Sequence, residues 1–129
     1  MQIVLQHVSV PRPPGEESAQ RARQFYGQLV GLTEKPVPTT IVHLDLIWFI
    51  IREETELHVF AEKESDTTSG SHFCLNVGNV EAMRQALIQG GFQPWSPEEI
   101  QGRPRFFCRD PFNNLVEFTQ IMDDYMKYQ

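Results

Sequence analysis

Five imidazole or carboxylate side chains fall where strand alternation would bring them to a common face: His7 in LQHVSV, Glu56 and His58 in TELHVF, His72 in SHFCLNV and Glu117 in NLVEFTQ. Each lies in a short run of apolar, β-branched or aromatic residues, the composition of a strand. Glu56 and His58 are two apart and share a face, so alternation cannot choose between them. Glu117 shares its face with Leu115 and Thr119, while Val116 and Phe118 point the other way. A glutamate in such a run ordinarily lies on a solvated face, because Glu is almost never fully buried unless paired; a histidine partner changes that. Imidazole and carboxylate together suit divalent zinc, nickel, iron, manganese or cobalt. Two or three protein ligands with open positions suit a catalytic metal better than a structural one. His43 is also in a strand-like run, but it has no counterpart elsewhere in the chain and is set aside.

The elements that must position these residues form a repeat. Val4 to Val10 reads as a strand that Pro11 to Gly15 ends. Glu16 to Leu29 has helical spacing, with Ala22, Phe25, Tyr26 and Leu29 on one stripe, and Gly31 stops it. Lys35 to Pro38 reads as a loop, and Thr39 to Ile51 as two strands, the second being Ile47 to Ile51. Glu56 to Phe60 is a further strand. Ala61 to Ser71 has almost no apolar content and reads as a linker. The order then restarts with a strand, His72 to Val77. Asn79 suits a helix N-cap, the stripe Val80, Met83, Ala86 and Leu87 follows, and Gly90-Gly91 ends it. Phe92 to Trp95 is a short strand, and Arg105 to Gln120 is a hairpin turning at Asp110 to Asn114, where Pro fixes φ and Asn tolerates the left-handed region. Tyr125 and Met126 suggest a last helical turn. Arg23-Gln24 matches Arg84-Gln85, and Gly31-Leu32 matches Gly91-Phe92. The chain therefore reads as two copies of strand–helix–strand–strand–strand. His7 and His72 fall on the first strands, and Glu56 or His58 and Glu117 on the last. Four ligands converge if the two sheets meet, and the expectation is that His7, His72 and Glu117 approach one another.

At 129 residues the chain has length for one domain with a real core. Its 40% hydrophobic content is ordinary for a globular protein. Neither a membrane-spanning apolar run nor a basic-then-apolar leader is read, which points to the cytoplasm and away from a membrane partner. A net charge of -6 without a basic cluster argues against nucleic acid. Cys74 and Cys108 match no zinc or redox spacing and read as reduced, mostly buried thiols.

The sequence resembles the vicinal oxygen chelate superfamily, the glyoxalase, bleomycin-resistance and extradiol-dioxygenase group. The likeness is carried by His7 in LQHVSV, by RQFYGQLVGL, by Leu57-His58 in TELHVF, by His72 in SHFCLNV and by DPFNNLVE ending at Glu117. It covers roughly residues 3 to 121 and implies an α+β fold of paired βαβββ modules, module 1 from about 3 to 60 and module 2 from about 72 to 121. Their curved mixed sheets would form a cupped cavity around a divalent metal. The ligands it implies are His7, His58 or Glu56, His72 and Glu117. Two departures stand out. Asn113 occupies a place where many relatives have Gly, and Leu29-Val30-Gly31-Leu32 has one residue more than the usual Leu-Gly-Leu.

The resulting expectation is a metalloenzyme, a lyase, isomerase or dioxygenase acting on a small oxygen-rich substrate chelated to the metal. Glu117 or Glu56 would serve as general base. Arg105, sharing a face with Phe107, would hold an anionic substrate group, with Trp48 and Phe49 as walls; Arg103 and Arg105 otherwise read as ion-pairing residues. Few cations near the cavity argue against a glutathione-dependent glyoxalase. The alternative is a drug-sequestering binding protein, whose cationic ligand would suit an acidic chain. A homodimer is expected, because uncovered sheet edges invite pairing.

Overall fold

The computed structural model describes residues 1–63 and 69–128. The architecture is α+β, with two mixed sheets that do not close and a helix in each half. In the first half, β1 (His7–Arg12) is followed by α1 (Glu16–Ala22), a π-helical segment (Arg23–Leu29), β2 (Thr33–Lys35), β3 (Ile47–Arg52) and β4 (Thr55–Ala61). The second half runs β5 (His72–Asn76), α2 (Val80–Gln89), β6 (Arg105–Arg109) and β7 (Leu115–Thr119), and a 3-10 turn, Tyr125–Tyr128, ends it. Sheet order is β1-β4-β3-β2 in one and β5-β7-β6 in the other, so the first strand of each half is an edge paired in parallel with the last. No described helix is long and apolar enough to cross a membrane.

Several boundaries differ from the sequence reading. β1 begins at His7 and runs through Pro11 to Arg12. An edge strand tolerates Pro, since one side of it needs no ladder donor. Residues 33–35, not the stretch after Thr39, supply the fourth strand of the first sheet, and Thr39–Ile41 is a single 3-10 turn. β4 takes Ala61 from the expected linker, whose residues 64–68 lie outside the described residues. Phe92 to Trp95 forms only a bridge, Trp95 to Phe107.

The extra residue near Val30 has a structural answer. The second helix ends with Phe92 N–H donating to Leu87 C=O, five residues back, whereas Leu32 N–H donates to Tyr26 C=O, six back. The first helix absorbs the insertion by widening into π turns. Gly31 at φ 93 and Gly91 at φ 95 then end the two helices in the same left-handed conformation.

The core lies between the sheets' inner faces and the helices. Phe25 packs edge-on to Phe92 at 4.9 Å between ring centres, joining the halves. Leu29 fills the space over Gly90, where an added Cβ would overlap its side chain. Asp110, buried, is the second tie. Its carboxylate accepts from Tyr26 Oη at 2.6 Å, Asn114 Nδ2 at 2.8 Å, and the backbone N–H groups of Phe112 and Asn114 at 2.8 and 2.9 Å. Asn114 also donates to Pro11 C=O on β1 at 2.9 Å. Burial pushes the Asp110 carboxyl up against these donors, and burial with the adjacent charge pushes the Tyr26 phenol well above its usual range, so Tyr26 stays a donor. Asn113 takes φ 70, the conformation expected where relatives have Gly. Arg12, unnoticed in the sequence, is buried and holds Asp45 Oδ1 at 2.5 Å and Ser18 Oγ at 2.8 Å, anchoring the start of α1.

Candidate functional site

On the second sheet, alternation puts Val116, Phe118, Phe106 and Cys108 into the core and leaves Glu117, Phe107, Arg105, His72 and Cys74 on the opposite face. Glu117 is not solvated there; only 4% of it is exposed. His72 Nε2 lies 3.0 Å from Glu117 Oε1, while Arg103 Nη1 and Arg105 Nη1 donate to Oε2 at 2.9 and 3.4 Å. Burial works against the ionised form, but Arg103, His72 and Arg105 together hold the Glu117 carboxyl below its ordinary value. His72 Nδ1 donates to Gly70 C=O at 2.8 Å, and Phe107 meets the imidazole edge to face at 5.0 Å, so the ring is fixed on two sides. A backbone acceptor on Nδ1 sets the tautomer with a lone pair on Nε2. That lone pair then faces the lone pairs of Oε1, and the two donors need a cation between them, a proton or a metal.

On the first sheet, His7, Glu56, His58, Trp48 and Lys35 occupy the corresponding face. Trp48 stacks on His58 at 3.9 Å and 2°, and His58 on His7 at 4.1 Å and 14°. His58 Nε2 donates to Glu56 Oε1 at 2.8 Å, and Lys35 Nζ to Glu56 Oε2 at 2.6 Å. Hydrogen bonds from His58 and then Lys35 pull the Glu56 carboxyl down to about 2. His7 Nδ1 donates to Gln6 Oε1 at 2.6 Å, which leaves Nε2 as its lone-pair nitrogen. Phe49 is not a wall of this face; it is buried on the other side of β3, as alternation from Trp48 requires.

Register separates Glu56 from His58, which alternation could not do. His7 lies opposite Glu56 and His72 opposite Leu115; two residues on, His58 and Glu117 fill the same place in the last strands. Their neighbours agree, Trp48 facing His58 as Phe107 faces Glu117. His58 is thus the counterpart of Glu117.

Within one chain the residues assemble as two separate groups, His7 with His58 and Glu56, and His72 with Glu117. Among the described residues no three His, Cys, Asp or Glu side chains come close enough together to hold a metal. The His72–Glu117 pair fits part of such a site. Two metal bonds of ~2.1 Å meeting near a right angle put their donors about 3 Å apart, the separation seen here, and the Nδ1 contact is the outer support that metal-bound histidines use. A third donor has to come from elsewhere. A cavity of about 430 Å3 opens between the edges β1 and β5, lined by Ser9, Pro11, His72, Phe73, Arg109 and Leu115 among others, so His72 connects it to the pair.

Three partners escaped the sequence reading. Lys35 reads as loop in the sequence, and pairing with β3 brings it over Trp48 and onto Glu56. Arg103 reads as an ion-pairing residue, and its partner is Glu117 itself. Cys74, exposed where a buried thiol is expected, lies directly opposite Glu117; its spacing of two from His72 is the available signal.

No family model matches the chain, and no curated protein sequence matches it. Solved structures do. A putative glyoxalase family protein from Bacillus anthracis is 29% identical, with a TM-score of 0.81 over 94% of this chain and 97% of that one. The genomically encoded fosfomycin resistance protein FosX from Listeria monocytogenes, complexed with Mn(II) and sulfate, is 12% identical, with a TM-score of 0.78 over 100% of both chains. TnmS3, an antibiotic binding protein from Streptomyces sp. CB03234, is 23% identical, with a TM-score of 0.68 over 94% of this chain and 98% of that one. At the last two identities the likeness is one of fold.

Proposed function

We propose, for a chain that belongs to the vicinal oxygen chelate superfamily, a divalent-metal-dependent enzyme acting on a small oxygen-rich substrate as a lyase, isomerase or dioxygenase. The observation that carries this reading is the His72 Nε2 to Glu117 Oε1 pair at 3.0 Å, with Nδ1 already committed to Gly70. His72 and Glu117 would hold zinc, nickel, iron, manganese or cobalt together with His7, and His58 in the place equivalent to Glu117, from a second copy of the chain. Two features support a homodimer. β1 and β5 are both sheet edges, which invite pairing. Ile3, Val4 and Leu5, just before β1, are 85, 74 and 63% exposed, an apolar run open to solvent in the single chain.

When bound, the metal supplies Lewis-acid stabilisation of negative charge on substrate oxygens. The protein's own part is positioning. Arg103 and Arg105 keep Glu117 ionised, and Phe107 and Gly70 orient His72. Trp48 and His58 offer a flat wall. Glu117 is the candidate base. Glu56, already bonded to His58 and Lys35, has the part of orienting His58.

The test is thermal melting of chelator-treated protein titrated with nickel, zinc and manganese. Metal at ~100 times its dissociation constant adds about 2.7 kcal/mol, and His72→Ala and Glu117→Gln should each remove the gain. Equal melting temperatures with chelator, nickel and zinc would end the metal reading. The second reading, metal-free sequestration of a flat ligand, is favoured by the Trp48–His58–His7 stack. Saturable quenching of Trp48 fluorescence by a planar drug, undiminished by chelator, would support it.

A further inference from the structure

The face around Glu117 carries more positive charge than it cancels. Arg103 and Arg105 share one carboxylate and donate to the same oxygen of it, at 2.9 and 3.4 Å. Both side chains are largely withdrawn from water, 18% and 16% exposed. Arginine stays charged in proteins, so the pair has one positive charge in surplus. Among the described residues Glu117 is the one carboxylate in ion-pair contact with either arginine, and His72, on its other oxygen, supplies no negative charge. Cys74 Sγ lies 3.9 Å from Arg103 Nη1. Tyr125 and Phe107 offer ring faces. Glu98 gives Arg105 only its backbone carbonyl, at 3.0 Å. Arg105 Nε, moreover, is a buried donor with no partner among the described residues. A withdrawn cation without counter-charge and a buried N–H without acceptor are both destabilising. One incoming oxyanion answers both.

We infer that Arg103 and Arg105 form a subsite for the carboxylate, phosphate or phosphonate group of an anionic small molecule, and that Glu117 competes with this group for the same donors. Guanidinium forks match planar or tetrahedral oxyanions through paired, charge-assisted hydrogen bonds. The inference deepens the proposed function by naming the charge class of the substrate. It rests on that reading only in taking the Glu117 face as the place where substrate sits, and it does not require the metal.

The experiment is isothermal titration of chelator-treated protein with inorganic phosphate and, separately, with acetate, at constant ionic strength set by sodium chloride. Saturable binding of at least one is expected, and the comparison assigns the group as phosphate-like or carboxylate-like. Arg105→Gln and Arg103→Gln should each weaken it tenfold or more. Glu117→Gln should tighten it at least fivefold, because the competing charge is gone, although the same substitution removes metal binding. Circular dichroism checks each fold; should Arg105→Gln not fold, Arg103→Gln carries the same expectation. No saturable binding in wild type and Glu117→Gln, unchanged binding in the arginine variants, or weaker binding in Glu117→Gln overturns the inference. Because metal is absent throughout, the metal reading can fail while this one holds, and the reverse.

Discussion

His58 and Glu117 hold equivalent places in the two halves, opposite Trp48 and Phe107, yet their surroundings differ in kind. In the first half the face is built of stacked rings, and the nearby carboxylate, Glu56, is neutralised by a single lysine whose side chain is a third exposed. In the second half two withdrawn arginines close on one carboxylate, and the fourth strand that brings Lys35 to Glu56 shrinks to a bridge at Trp95. The turns differ as well. β3 and β4 are joined tightly through Glu53, whereas the longer turn between β6 and β7 reaches back to Tyr26 and Pro11. Duplicated backbone therefore does not imply duplicated chemistry: one half presents a wall and the other a charged grip, and the clasp between them belongs to the second alone.

The largest expected effect tests that clasp. Asp110→Ala removes the acceptor that the Tyr26 hydroxyl and two backbone donors share, and one of the two that Asn114 Nδ2 uses, and should cost about 4 kcal/mol by urea denaturation. A loss under about 1 kcal/mol would show that the helices alone join the halves. Next comes the contrast between the two carboxylates. Glu117→Ala strands two withdrawn guanidiniums and should cost about 3 kcal/mol, whereas Glu56→Ala frees a lysine that can turn to water and should cost about 1 kcal/mol. Equal or reversed losses would break the comparison.

A smaller effect is pH-dependent. The folded Glu56 carboxyl, at about 2, lies below its ordinary 4.5, so the stability it contributes is complete above 4.5 and is lost as pH falls toward 2. Glu117, also held below its ordinary value, acts in the same sense. The stability difference between wild type and Glu56→Gln should shrink steadily from about pH 5 to pH 2; a constant difference would count against the low carboxyl. The smallest effect concerns what the halves share. Gly31→Ala and Gly91→Ala place a side chain at φ 93 and φ 95 with nothing within 4 Å of the new Cβ. Each should cost about 1 kcal/mol, from conformation only. Unequal costs would mean that the two helix ends are not equivalent.

Much of this was legible in the sequence because it is local or periodic. Alternation put Glu117 opposite in sense to Val116 and Phe118, Asn79 announced its cap by accepting from Ala82 N–H at 3.0 Å, and the paired Gly-apolar steps marked both helix ends. Less was legible where a polar stretch gains its structure from a distant partner. Thr33–Lys35 becomes a strand only because β3 offers an edge, and Arg12 becomes a buried anchor only because Asp45 arrives beneath it.

The repeat, the strand faces and the short roster of imidazoles and carboxylates follow from the sequence itself, since side-chain direction repeats every two residues along a strand whatever surrounds it. Three things were decided by tertiary structure. Register made His58 rather than Glu56 the counterpart of Glu117. Long-range pairing put Lys35 on Glu56, and Arg103 and Arg105 on Glu117. The separation of the sheets kept His7 with His58 and away from the His72–Glu117 pair. The physical reason is common to all three: alternation fixes which way a side chain points, but which charge it meets depends on strands far apart in the chain coming to lie side by side.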